Sequence, residues 1–199
     1  VRISELARRG GVTTATAKYY LREGLLPPGR LTSATQAQYD EPHVQRLRLT
    51  RALLASGLSV ATAREVLGHL DSPADGPLDL LAEVQTTLTP VEGPVDRERV
   101  TALLRRWGWN TDVALDGPVA ALASALDVAE AAGFTIGPEL LDGYAAAAHE
   151  VAELDIAGVP TTSSEDAVQH VVLGTILLEP VLLALRRLAQ ADVSARRFG

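Results

Sequence analysis

The chain has 199 residues, 47% of them hydrophobic, enough to bury a core in one large domain or two small ones. It has no cysteine, which excludes disulfides, thiolate metal sites, cysteine nucleophiles and thiol redox sensing. The net charge of −7 is unevenly placed: residues 1–71 carry ten Lys and Arg against six Asp and Glu, and residues 72–199 carry eight against nineteen.

A basic first part on an acidic second part suits a protein whose N-terminal region meets phosphate. Ile3 and Ser4 open a short helix, Ser4 being an N-cap type, with Glu5 in its first turn and Leu6 and Ala7 on its apolar side. Gly10 and Gly11 stop it. Thr13 caps a second helix that runs to about Glu23 before Gly24. The spacing predicts a helix-turn-helix.

On the second helix Thr14, Ala15, Lys18, Tyr19 and Arg22 recur at spacings of three and four, so they share an outward face while Ala17, Tyr20 and Leu21 turn inward. Lys18 is the chain's only lysine. A cation, hydroxyls and phenol groups on one exposed face suit phosphates and base edges in a major groove, although a merely solvated face fits the spacing equally well.

Prolines and a glycine in Leu25–Arg30 end regular structure, and Leu31–Tyr39 predicts a small hairpin, or wing, with Arg30 at its base. Asp40 caps a third helix that carries Pro42 in its first turn, Val44, Leu47, Ala52 and Leu54 on its core side, and Arg46, Arg48 and Arg51 as charge. After Gly57, Ser59 caps a fourth helix through Val60, Ala63, Val66, Leu67 and Leu70.

These residues carry a resemblance. Ile3–Ala7, Thr16–Arg30 with its Tyr-Tyr and Gly-Leu-Leu-Pro-Pro-Gly-Arg core, Tyr39, Arg46–Leu49 and Gly57–Leu67 resemble the winged helix-turn-helix head of MerR-family transcription regulators over residues 2–70. The resemblance implies a homodimer that sits on a promoter palindrome in double-stranded DNA, bends and undertwists it, and changes its alignment for RNA polymerase when a ligand binds; a cytoplasmic setting is expected, which the lack of cysteine permits. It places Thr14, Thr16, Lys18, Tyr19, Tyr20 and Arg22 on the recognition helix and Arg30 and Tyr39 in the wing, as DNA-binding residues. Lys18 stands where the family usually has Arg, and Ser33–Gln38 departs from the family's wing, with Ala37 in place of a phosphate-binding Arg. Tyr20 and Tyr39 also suit packing with a polar tip.

Beyond Leu70 the chain leaves the family's pattern of one long dimerisation helix. Asp71–Pro77 and Thr89–Pro94 are rich in Pro and Gly and flank only a short helical run, Leu78–Leu88, so residues 72–94 read as a connector. Residues 95–199 read as an all-helical effector and dimerisation domain. Val95–Trp107 turns Val100, Leu103 and Leu104 inward, Val119–Ala132 turns Val119, Leu122, Leu126 and Ala129, and Glu139–Ile156 turns Leu140, Tyr144, Ala148, Val151 and Leu154. Ser164–Gln190 is apolar on nearly every side, with a kink expected near Ile176 because of Pro180, and predicts cover by a partner subunit through Val168, Val172, Ile176 and Leu183, against the alternative of burial within the chain alone. Ser194–Gly199 reads as a frayed basic end.

The fold class is therefore mainly α: a winged helix-turn-helix with a small hairpin, residues 1–71, followed by a helical bundle. Trp107, Trp109, Phe134 and Tyr144 are candidates to line a pocket for a small organic ligand, against the plainer reading of an aromatic plug. His149, Glu150, Asp166 and His170 form no catalytic or metal-binding motif, so no enzyme activity, metal or cofactor is expected. No signal peptide or membrane span is expected either, since the apolar stretch Val171–Leu185 is broken by Glu179 and Pro180. Two other functions fit less of the chain: a drug-sequestering sensor with a vestigial head, and an architectural protein that bends DNA without ligand control.

Overall fold

The computed structural model describes all residues but 34–35, 73–76, 92, 114 and 161–163, and the side chains of all these but 77–78, 164–166 and 168–169. Parts of the two Pro/Gly-rich segments, and the side chain of Val168, therefore lie outside the described residues. Contacts divide the chain into two units, Val1–Ser72 with Leu173–Gly199, and Pro73–Val172.

Residues 1–72 contain α1 (Ile3–Gly10), α2 (Thr14–Arg22), the antiparallel pair β1 (Arg30–Ser33) and β2 (Gln36–Gln38), α3 (Glu41–Ala55) and α4 (Val60–Asp71). Three of the four expected caps are made: the side chains of Thr13, Asp40 and Ser59 each accept from a backbone N–H three residues on. Ser4 is not a cap; the N-cap of α1 lies two residues earlier, at Arg2, with no side-chain cap. Gly11, at φ 71°, closes α1 in the left-handed conformation that glycine adopts most readily.

The core of this region joins Leu6, Ala17, Leu25, Leu47, Leu53 and Leu67, all fully buried. On α3 the buried row is Val44, Leu47, Thr50 and Leu53, whereas Ala52 and Leu54 are only half-buried. Thr50 is tolerated inside because its hydroxyl donates to the Arg46 carbonyl at 2.8 Å, with the Leu25 carbonyl at 3.3 Å.

In residues 73–172, α5 (Pro77–Leu88) packs against α7 (Asp116–Ala131), which also packs on α6 (Arg97–Trp107). Leu80 and Val84 are fully buried, and Gly117 lets α7 approach closely: a Cβ there would stand 2.7 Å from Thr89 Oγ1. The apolar centre is Val100, Leu104 and Ala123, flanked by Trp107, Val119 and Leu122.

The next helix, α8 (Pro138–Ala157), corrects an expectation. Its only buried residue is Ala145; Leu140, Tyr144 and Leu154, expected inward, are 48%, 47% and 75% exposed. The last helix, α9 (Ser164–Phe198), continues past Pro180 and through the segment expected to fray, with no Gly or Pro between Pro180 and Gly199 to stop it. Val172 and Ile176 are buried within the chain itself. The exposed apolar residues include Leu178, Val181, Leu182, Leu185 and Leu188, which span about a third of the helix circumference; Leu183, Val193 and Phe198 are exposed as well, Leu183 on the side of Ile176. Among the described residues no helix is long and apolar enough to cross a membrane.

Candidate nucleic-acid interface

The Thr13 cap fixes where α2 begins, and with it which residues face out. Lys18 and Arg22 are exposed on this face, with Thr14 and Tyr19 half-exposed beside them. Thr16 is half-buried, its hydroxyl 2.8 Å from that of Thr13. The Arg22 guanidinium lies 5.2 Å from the Tyr19 ring centroid, within cation–π range, and its Nε is 3.6 Å from Glu23. Lys18 has no ion pair among the described residues.

The two remaining tyrosines of the expected set are core residues, each 8% exposed. Tyr20 anchors α2, its ring 5.9 Å from that of Tyr19. Tyr39 sits edge-on to His43 at 5.3 Å, and burial pushes its phenol above the usual range. It also fills the space beside Gly29, where a Cβ would meet its ring at 2.7 Å. In the wing, the pairs Arg30↔Gln38 and Leu31↔Ala37 are followed by a bulge before Ser33. Arg30 is exposed and donates to Gln38 Oε1 at 3.3 Å.

Most other arginines of this region are engaged by the protein, which their sequence positions did not reveal. Arg46 binds Asp71 and the Leu25 carbonyl, Arg48 donates to the Arg9 carbonyl, and Arg51 donates to the Gly11 carbonyl. Arg64 donates to the Glu23 carbonyl at 2.5 Å and thereby ties α4 to the end of α2. Arg8 and Arg9 pair with Glu5 and Glu41. Arg48, Arg51 and Arg64 thereby close the C-terminal ends of α1 and α2, where orphan carbonyls attract cations.

In residues 73–172 the structure brings together only part of the expected aromatic set. Trp107 and Trp109 lie 5.3 Å apart, and Trp107 Nε1 donates to Asp142 at 2.8 Å. Trp109 lines a cavity of about 460 Å³ whose other walls include Leu104, Val119, Leu122 and His149. Phe134 and Tyr144 are not on it; they are 61% and 47% exposed. Aromatic content identified the tryptophans, but nothing in the sequence placed His149, about two helices away, 5.7 Å from the Trp109 ring. Among the described residues no group of His, Asp and Glu could hold a metal.

A helix-turn-helix with a short wing and a cationic second helix defines the class of regulatory heads. Residues 1–70 match the model of the MerR HTH family regulatory proteins. The chain is similar to the HTH-type transcriptional regulator ZntR homolog of Haemophilus influenzae, at 45% identity over 24% of this chain and 35% of that protein. It is also similar to the HTH-type transcriptional regulator MerD of Shigella flexneri, at 31% identity over 49% of this chain and 76% of that one. The solved structure of SCO5550 from Streptomyces coelicolor A3(2), described as a transcriptional regulator, aligns over 100% of this chain and 98% of its own with a TM-score of 0.72 and 39% identity. The chain belongs to the MerR HTH family. It spans only about a third of the ZntR homolog and 41% of AdhR of Bacillus subtilis.

Proposed function

We propose that the chain is a homodimeric transcription regulator that binds a palindromic promoter site in double-stranded DNA, distorts it for RNA polymerase, and is controlled by a small organic ligand in its helical body. The observation that carries this reading is the contrast on the head between arginines tied to the protein's own carbonyls and carboxylates, and an α2 face where Lys18 and Arg22 stand exposed. Thr14, Tyr19 and Arg30 flank them with hydroxyls and a further cation. Phosphate contacts by these groups set register on the duplex, and those that reach base edges supply specificity. Distortion costs about 1–6 kcal/mol for a smooth bend, so the spacing of two heads, set by the body, decides whether the bent form is reached.

The experiment is selection of bound duplexes from a random pool, followed by titration of the enriched duplex with wild type and Lys18→Ala. Enrichment of an inverted repeat supports the reading. Loss of about 1–3 kcal/mol of affinity in Lys18→Ala assigns that residue a base contact, and a flatter salt dependence with little loss assigns it a phosphate. Failure to enrich any duplex removes the regulator reading.

A further inference from the structure

We propose that the cavity beside Trp109 is the effector site and that its ligand is an uncharged, flat aromatic molecule. This rests on the reading of the body as ligand-controlled and adds where the ligand sits and what it is.

The cavity is a product of how α6 ends. Gly108, at φ 73°, caps the helix in the left-handed conformation, and the Trp109 N–H returns to the Leu104 carbonyl at 2.9 Å. Asn110, Val113 and Leu115 also line the cavity, and Pro118 and Val119 line it from α7. Trp107 stands behind Trp109, held by its bond to Asp142, whose other oxygen takes Arg106. The indole of Trp109 is thus backed by a second ring.

Size argues for a ligand. A space of about 460 Å³ is far larger than the roughly 30 Å³ that one water occupies in the liquid, and walls such as Val100, Leu104 and Leu122 offer water no hydrogen bonds. It falls within the ~300–1,000 Å³ typical of small-molecule sites.

Charge argues for the class. Among the described residues no Asp, Glu, Lys or Arg lines the cavity, so neither an anion nor a cation would find a carboxylate, ammonium or guanidinium counter-charge there after leaving water. The nearest charges outside the lining are paired with each other, Arg106 with Asp142, and the His149 ring lies 3.6 Å from Glu153. The polar lining is Asn110 and His149. Asn110 Oδ1 accepts the Asp112 N–H at 2.9 Å, which turns the amide NH₂ toward use as a donor. A planar apolar body with one acceptor on its edge fits that pattern, its face on Trp109.

The protein's only tryptophans are Trp109, which lines the cavity, and Trp107, 5.3 Å from it, so their emission responds to a ligand bound there. The full chain would be titrated with N-phenyl-1-naphthylamine, a neutral fluorophore, and with 8-anilino-1-naphthalenesulfonate, which adds an anionic sulfonate to the same ring system. Saturable quenching at one probe per chain is expected, with the neutral probe bound about tenfold or more tightly than the sulfonate. Leu122→Phe, which fills the cavity, and Val113→Arg, which puts a charge at a position already 44% exposed, should each weaken the neutral probe about tenfold while the circular dichroism stays that of wild type. Should Leu122→Phe misfold, the Val113 variant carries the test by itself. Non-saturating quenching, equal affinity for the two probes, or indifference to Val113→Arg overturns the proposal and assigns the probe to the exposed apolar faces of α8 and α9. Duplex binding is read on the head: a chain that binds its duplex but not the probe loses only the cavity site, and one that binds the probe but no duplex loses the regulator reading.

Discussion

Arg46 on α3 grips Asp71 at the end of α4 through two hydrogen bonds of 2.6 Å, while its Nε donates to the Leu25 carbonyl at 3.1 Å. One planar guanidinium thereby joins α3, α4 and the turn after α2. Arg46→Ala is expected to lower the stability of the head by about 1–3 kcal/mol in urea denaturation, because two charge-assisted bonds and a carbonyl partner are lost at a largely buried side chain. Arg46→Lys should recover little, since an ammonium cannot make the forked contact. Lys18→Ala, by contrast, should change stability by less than about 0.5 kcal/mol.

Gly10 and Gly68 should respond oppositely to the same substitution. A Cβ on Gly10 would stand 2.3 Å from Leu47 Cδ2, and Leu47 is fully buried with nowhere to retreat. Gly10→Ala is therefore expected to destabilise by about 1–3 kcal/mol through overpacking of α1 on α3. Gly68 lies within α4 with nothing within 4 Å of its would-be Cβ. Gly68→Ala should raise stability by about 0.4–1 kcal/mol, because alanine loses less backbone entropy on folding. Thermal unfolding of the two variants side by side checks both signs.

Asp40 gives the head an acid-sensitive joint. Its carboxylate caps α3, and the hydrogen bond from the His43 side chain, reinforced by the His43 N–H, holds its carboxyl below the usual carboxylate range. The unfolded chain binds that proton at a higher pH than the folded one, so the contribution is complete above the ordinary Asp range and is lost as pH falls through the lowered folded value. Asp40→Asn keeps a capping oxygen but cannot titrate. Its stability should fall less steeply than that of wild type between about pH 5 and 2, measured by urea titration at each pH.

Local chemistry was the most legible part of the sequence. Thr13, Asp40 and Ser59 were recognisable as caps because the bond each makes is to a residue three positions on. Charge was less legible: Arg46, Arg48 and Arg51 raise the basic balance of residues 1–71, but their partners, Asp71, Arg9 and Gly11, lie 25 to 40 residues away and appear only once the helices pack. Periodicity has a similar limit. It put Leu140, Tyr144 and Leu154 on a shared stripe but could not say that the chain leaves them exposed. The cavity follows the same rule, since Trp109 could be singled out by its chemistry whereas His149 joins it only through the packing of α8.

The exposed face of α9 leads to the remaining prediction. Leu178, Val181, Leu182, Leu185 and Leu188 are each at least 44% exposed and fall on one side of the helix, which is costly for a chain that stays monomeric. Val172 and Ile176 satisfy the opposite face within the chain, so they do not compete for a partner. A second copy of α9 would cover such a stripe with like residues in a two-fold arrangement, the symmetry that a palindrome also has. The double substitution Leu182→Glu and Leu185→Glu places like charges at the centre of that seam without disturbing any buried residue. It should convert the protein to monomer in sedimentation velocity and leave its helical circular dichroism intact. It should also lower affinity for a full palindrome far more than for a single half-site. A variant that remains dimeric would instead assign the seam to Leu140 and Tyr144 on α8, and the same pair of glutamates placed there would test it.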